Sequence, residues 1–121
     1  MASDKALSWV FAEEFVEENE LLAQAREAAT DLGADPVSTG VGAALRLLAA
    51  TCGAKAVLEI GTGAGVSGLW LLQGMSPDGV LTTIDQEVEF HKHARRAFAA
   101  AGIASQRTRL IAGRALDVLP R

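Results

Sequence analysis

Apolar positions in the first part of the chain recur at intervals of three and four residues. This spacing predicts amphipathic helix over residues 5–31, with an interruption around residues 18–20; the positions concerned are Leu7, Val10, Phe11, Phe15, Leu21, Leu22 and Ala25. Residues 32–40 contain two glycines and Pro36, which should end this helical region. Ser38 or Thr39 can then cap a further helix over residues 41–51.

After this helix the pattern changes to short apolar strands that alternate with helices. The predicted strands are Ala56–Ile60, Val80–Asp85 and residues 107–113, and the predicted helices cover residues 66–73 and 88–101, with another beginning after Gly113. The run from Ala56 to Ile60 is apolar in the way that buried parallel strands are. Helices followed by a βαβαβ order predict an α/β fold in which a parallel sheet is covered on both faces and has right-handed crossovers.

Composition narrows the class of ligand. The chain has 121 residues, enough for one small globular domain, and half of them are hydrophobic. Its net charge is −4 and its 11 Lys and Arg residues are scattered, which argues against nucleic-acid binding and favours a small-molecule ligand. No stretch approaches the roughly 20 apolar residues that a membrane span requires, and no targeting segment is recognisable.

Cys52 is the single cysteine, so neither an internal disulfide nor a multi-cysteine metal site can form. This usage fits a reducing, cytoplasmic compartment.

Three glycines at alternate positions follow the first predicted strand. Gly61, Gly63 and Gly65 lie where parallel α/β sheets bind ligands, because glycine allows close approach to the backbone and the next helix presents free N–H groups. The dinucleotide fingerprint G-x-G-x-x-G would require glycine in place of Val66, so the spacing departs from the NAD type. A tight turn without any ligand is the structural alternative.

Two acidic residues accompany the glycines. Glu59 lies two residues before Gly61, and Asp85 ends the second predicted strand, where a carboxylate can accept hydrogen bonds from both hydroxyls of a ribose. This arrangement suits a nucleoside without a 2′-phosphate. Asp85 could instead, or in addition, cap the following helix.

The ordered set of strand, E-x-G-x-G-x-G, helix, strand and terminal acid resembles the class I S-adenosylmethionine-dependent methyltransferases. From Asp35 onward, the lead-in helix, the glycine loop, the TTID strand and the GRALDVLP stretch resemble the O-methyltransferase family that includes catechol and caffeoyl-CoA O-methyltransferases. The resemblance implies a Rossmann-like parallel sheet preceded by two or more helices. It divides the chain into an N-terminal helical segment, residues 1–34, and the N-terminal half of an S-adenosylmethionine-binding domain, residues 35–121.

The resemblance also implies roles for eight residues. Those expected to bind S-adenosylmethionine are Glu59, Gly61, Thr62 and Gly63 along its methionine and ribose portion, Val37 and Ser67 at its amino-acid end, Asp85 at the ribose, and Ala115 beside the adenine. The family usually has an acid at the position of Arg114.

Catalytic residues are expected beyond residue 121. In the family a divalent metal holds the acceptor through carboxylates that follow a fourth strand, so no metal ligand is assigned here. Truncation after three strands would leave the first strand with an unpaired apolar edge. We therefore expect the 121 residues alone to be inactive and to pair as a homodimer. The resemblance implies that the full enzyme methylates a hydroxyl of a small phenolic or catechol-like acceptor. The alternatives are an NAD-type nucleotide-binding half-domain and a non-catalytic binding or assembly fragment.

Other conspicuous side chains are assigned structural roles. His91 and His93, two residues apart on a helix, are expected on a solvated face rather than at a metal. Trp70 is expected in the core, and Trp9 and Phe15 should pack within the chain unless a partner subunit covers them. Cys52 is expected to be inert.

Overall fold

Helices and strands alternate along residues 3–119, the part of the chain that the computed structural model describes. The helices are α1 (Asp4–Glu14), α2 (Glu20–Asp31), α3 (Thr39–Thr51), α4 (Val66–Gly74), α5 (Val88–Ala100) and α6 (Ala115–Val118). The strands are β1 (Ala56–Ile60), β2 (Val80–Asp85) and β3 (Thr108–Ala112), with a 3₁₀ turn at Ser105–Arg107 before β3. The predicted order of helices followed by βαβαβ is confirmed.

Side-chain caps set the helix starts near the N-terminus. The Asn19 side chain accepts a hydrogen bond from the Leu22 N–H, so the predicted interruption separates two distinct helices, α1 and α2. Ser38 caps α3 by accepting from the Val41 N–H. Thr39 is therefore the first residue of α3, which starts two residues earlier than predicted.

The three strands form one parallel sheet in the order β1-β2-β3. The register places Glu59 opposite Thr83 and Asp85 opposite Ala112. The prediction that β1 is a buried strand is wrong for the described residues: Leu58 is 52% and Ile60 64% exposed. The reason is that β1 lies at the sheet edge, as the unpaired apolar edge expected from the sequence.

The core is centred on α4, which packs against α3 and the sheet. Trp70 is completely buried, as predicted, and its indole nitrogen faces the backbone of Gly42, where any Cβ would overlap it. The guanidinium carbon of Arg46 lies 5.0 Å from the centre of the Trp70 ring. Close contact between α3 and α4 therefore depends on a residue without a side chain at position 42.

Two structural expectations are corrected. His91 is buried, with 5% of its surface exposed, because α5 packs against α2, α4 and the sheet; its expected place on a solvated face is wrong. Trp9 and Phe15 are 64% and 72% exposed, so the expected intrachain burial is wrong, although the Phe15 ring lies 5.5 Å from that of Phe11. Nothing in α1 is buried, since the helix rests on α3 along one side only.

Cys52 is exposed at the C-terminal end of α3. Among the described residues no helix is both long and apolar enough to cross a membrane.

Candidate functional site

The loop between β1 and α4 contains the three glycines at positive φ. Gly61 and Gly63 have φ of 91° and 53°, and a Cβ built on either would meet no atom within 4 Å. Gly65 differs, because its Cβ would lie 3.2 Å from the Cα of Ala94 in α5. The first two glycines therefore leave open space beside the loop, whereas the third allows α5 to approach the start of α4.

A cavity of about 670 Å³ lies at the carboxyl ends of β1 and β2. Seven of the eight residues predicted to bind a cofactor line it: Val37, Glu59, Gly61, Thr62, Gly63, Ser67 and Asp85. The eighth, Ala115, lines a neighbouring cavity of about 280 Å³ together with Arg114. Ile60, Gly61 and Asp85 line both cavities, so the two form one groove across the ends of the strands.

Glu59 is held by two hydroxyl donors. One carboxylate oxygen, Oε2, accepts from Ser67 Oγ at the start of α4, and Oε1 accepts from Thr83 Oγ1 on β2 at 2.7 Å. Burial raises the pKa of Glu59 above its ordinary value; the hydrogen bonds from Ser67 and Thr83 oppose that rise, and the negative charge of Asp85 adds to it. The carboxylate is thus fixed in orientation but costly to ionise.

Asp85 connects two loops at the end of the sheet. Its Oδ2 accepts from the Gly63 N–H at 3.2 Å and its Oδ1 from the Glu87 N–H at 3.0 Å. The alternative of a helix N-cap is wrong, because Glu87 is the residue that precedes α5 and the Asp85 bond goes to Glu87 itself. Each carboxylate oxygen retains a lone pair that can accept from a ligand hydroxyl.

The larger cavity has a negative lining. Its ionisable residues are Asp35, Glu59 and Asp85, and no Lys, Arg or His is among the described residues that line it. Such a lining attracts a cationic ligand and repels an anionic one such as a pyrophosphate. The only cation on the described part of the smaller cavity is Arg114.

Two threonines beneath the loop point away from the ligand space. Thr62 is 2% exposed, and its Oγ1 lies 2.7 Å from Thr83 Oγ1. Thr62 can therefore contact a ligand only through its backbone. The resemblance implied that Thr62 binds the cofactor but did not distinguish its backbone from its side chain. Thr83 was missed; the signal that could have found it is a polar residue at an inward-facing position of β2, opposite Glu59 in the strand register.

The described residues contain no group of three or more His, Cys, Asp or Glu side chains placed to hold a metal ion. His91 and His93 are therefore not joined by a third ligand from that part of the chain.

Comparisons with known proteins give a consistent result. The O-methyltransferase family matches residues 12–121. The "Probable O-methyltransferase Rv1220c" of Mycobacterium tuberculosis is 62% identical over 113 residues, which cover 93% of this chain and 50% of that protein. A curated relative from Mycobacterium avium is 61% identical over 110 residues, covering 91% of this chain and 50% of its own length. The chain thus spans about half the length of the curated relatives it matches.

Solved structures agree in fold. The O-methyltransferase TomG from Streptomyces achromogenes, involved in tomaymycin synthesis and solved in complex with SAM, is 36% identical with a TM-score of 0.85; the match covers 99% of this chain and 56% of TomG. An O-methyltransferase from Bacillus cereus, solved in complex with SAH, is 28% identical with a TM-score of 0.83, over 95% of this chain and 53% of that one.

Proposed function

The chain belongs to the O-methyltransferase family, and from that premise we propose that it forms the S-adenosylmethionine-binding part of an enzyme that methylates a hydroxyl of a small phenolic or catechol-like acceptor. The observation that carries the proposal is the larger cavity of the groove, where two open glycines face a lining whose ionisable side chains, among the described residues, are all acidic. S-adenosylmethionine carries a positive sulfonium and a positive ammonium group, which suit this lining. An NAD-type ligand would place a pyrophosphate there, next to three acids, so the alternative reading is not favoured.

The lining residues support a placement of each part of the cofactor in the groove. Asp85 can accept from the ribose hydroxyls, and the smaller cavity at Ala115 can take the adenine. Gly61 and Gly63 let the ligand approach the backbone, because no side chain occupies the space beside them. Val37 and Ser67, which also line the larger cavity, can flank the amino-acid portion.

S-adenosylmethionine supplies an electrophilic methyl group on a positively charged sulfur. When bound, it would give this group to the acceptor oxygen, with the carbon–sulfur electron pair returning to sulfur and the hydroxyl proton going to a base. The contribution of the residues described here is to hold and orient the donor, which supplies much of the advantage in a reaction that depends on alignment. We assign none of them as the base, and none as a metal ligand.

The acceptor class rests on the family resemblance and on the apolar wall of the same cavity. Leu45 and Leu71 line it beside Val37 and Pro36. An apolar wall next to the donor suits a flat aromatic ring better than a charged acceptor.

We also propose that the protein pairs with a second copy through the exposed face of α1. Phe11 in α1 and Phe15 just after it are exposed and line an apolar groove of about 670 Å³ together with residues of α3 and α4. Trp9 is also exposed but does not line this groove. Light scattering after size-exclusion chromatography should give twice the chain mass, and Phe15→Glu should shift it towards the monomer. A monomeric wild-type protein at tens of micromolar would contradict the pairing and leave the cofactor proposal intact.

The cofactor proposal is tested by Asp85→Asn with Asp78→Asn as its matched control. Asp78 is an exposed acid in the turn before β2 and lies outside both cavities. Loss of a charged hydrogen-bond acceptor costs about 1.5–3 kcal/mol, so calorimetry should show about 10- to 150-fold weaker binding of S-adenosylhomocysteine by Asp85→Asn. The control should bind like wild type. Equal affinities for all three proteins would sink the assignment of Asp85 to the ribose.

A further inference from the structure

Thr83 lies at the centre of a hydrogen-bonded chain beneath the glycine loop. It is completely buried on β2 and lines neither cavity. Its Oγ1 lies 2.7 Å from Thr62 Oγ1 in the loop and 2.7 Å from Glu59 Oε1 on β1. One hydroxyl thus connects the adjacent strand with the loop that follows it.

The number of available protons determines which group donates in each hydrogen bond of this series. A threonine hydroxyl has one proton to donate, and an ionised carboxylate has none. When the Glu59 carboxyl is ionised, the Thr83 proton goes to its Oε1, because that oxygen can then only accept. It follows that Thr62 donates to Thr83, which the distance between the two hydroxyls alone leaves open.

The series of hydrogen-bonded side chains ends at helix α4. Glu59 Oε2 accepts from Ser67 Oγ in the first turn of that helix, so each oxygen of the carboxylate has one fixed hydroxyl donor. The sequence of donors and acceptors is Thr62 to Thr83 to Glu59, with Ser67 donating from the other side. These hydrogen bonds join the loop, β1, β2 and the start of α4; Thr62 and Thr83 are buried, whereas Glu59 and Ser67 are partly exposed and line the larger cavity.

We propose that Thr83 is a positioning residue for the cofactor: its hydroxyl holds the Thr62 side chain in the core and the Glu59 carboxylate in one orientation, and so sets the shape of the glycine loop. The inference rests on the proposed function, since it concerns the same groove. Thr83 acts only through Thr62 and Glu59, because it has no surface in either cavity.

The hydroxyl, rather than the volume of the side chain, is what this role requires. Valine has nearly the shape of threonine but can neither donate nor accept, so Thr83→Val would leave the buried Thr62 hydroxyl and Glu59 Oε1 without their partners. Serine keeps the hydroxyl and loses only a methyl group. Thr83→Ser should therefore restore what Thr83→Val removes.

Thr82 offers a matched control on the same strand. It is the preceding residue, so its side chain points to the opposite face of the sheet, and within the described part of the chain its hydroxyl makes no hydrogen bond. Thr82→Val makes the same chemical change without touching the chain of hydroxyls.

The experiment is calorimetric titration of the 121-residue protein and its variants with S-adenosylhomocysteine, well below each melting temperature. Thr83→Val should bind about tenfold more weakly or worse, with Thr83→Ser within about threefold of wild type and Thr82→Val unchanged. Weak binding by Thr83→Ser equal to that of Thr83→Val would overturn the inference, as would wild-type affinity in Thr83→Val. If the wild-type protein itself does not bind, the proposed function fails; if it binds and Thr83→Val binds equally, only the inference on Thr83 fails.

Thr62→Val provides a second test that does not depend on the stability of Thr83→Val. It removes the first donor while leaving both bonds to Glu59 in place, and should weaken binding about threefold or more. The double variant should bind no more weakly than the worse single variant, because both changes break the same chain. Unchanged affinity in Thr62→Val would contradict the proposed role of the hydrogen bond between Thr62 and Thr83. Losses of affinity that simply add in the double variant would contradict it as well.

Discussion

The open space beside Gly61 allows two effects of an alanine substitution to be distinguished: contact with the ligand and strain in the backbone. Gly61 and Gly102 both have positive φ, 91° and 72°, and a Cβ built on either meets no atom within 4 Å. Gly61 lines the groove, whereas Gly102 follows α5 and lines neither cavity of the groove. Alanine at the two positions therefore imposes a similar strain, but only at position 61 does the new methyl group enter the ligand space.

The expected magnitudes follow from this difference. A left-handed backbone conformation costs alanine about 1–2 kcal/mol relative to glycine, so both variants should lose roughly that free energy of unfolding. For a domain of this size that is a fall in melting temperature of about 4–8 °C. An extra methyl group in a filled site costs about 1–3 kcal/mol more, so Gly61→Ala should bind S-adenosylhomocysteine about 5- to 150-fold more weakly.

The assay pairs thermal unfolding without ligand with calorimetric titration of S-adenosylhomocysteine for wild type, Gly61→Ala and Gly102→Ala. Similar melting temperatures with a selective loss of affinity in Gly61→Ala are expected. The reasoning is refuted if both variants lose affinity equally, which would make strain the cause, or if Gly61→Ala binds like wild type, which would place the ligand elsewhere.

Two further predictions concern stability. Because burial raises the pKa of Glu59, the stability that its neutral form provides is complete below the ordinary value of 4.5 and is lost as pH rises through the raised value. Glu59→Gln, which cannot ionise, should remove that part of the pH dependence of the melting temperature measured between pH 4 and 8, and an unchanged slope would contradict the assignment. Gly42→Ala should lower the free energy of unfolding by about 2 kcal/mol or more, because its Cβ would overlap the Trp70 indole and force α3 away from α4. A melting temperature within roughly 2 °C of wild type would contradict this prediction, since it would show that the two helices relax around the added methyl group.

The order of helices and strands and the bounds of β1 and β2 could be predicted from local sequence patterns. β1 and β2 have the predicted bounds, because each is a short β-rich run that follows a glycine-containing turn. The groove followed from the same logic, since the ends of parallel strands and the glycine loop must meet at one edge of the sheet. Seven of the predicted site residues consequently line one cavity, and Ala115 lines its neighbour.

Features that depend on packing between distant segments were not predictable in this way. His91 has charged and polar neighbours along α5, which indicated a solvated face, but it is buried because α5 packs against α2, α4 and the sheet. The role of Thr83 requires the register between β1 and β2, which brings it opposite Glu59 across 24 residues of chain.

The most direct test of the central claim is titration of the wild-type chain with S-adenosylhomocysteine and, separately, with NAD in the same buffer. The account predicts saturable binding of S-adenosylhomocysteine with one site per chain and no heat of binding for NAD, because the groove combines open glycines with an acidic lining that repels a pyrophosphate. Binding of NAD alone, or of neither compound by a folded protein, would contradict it.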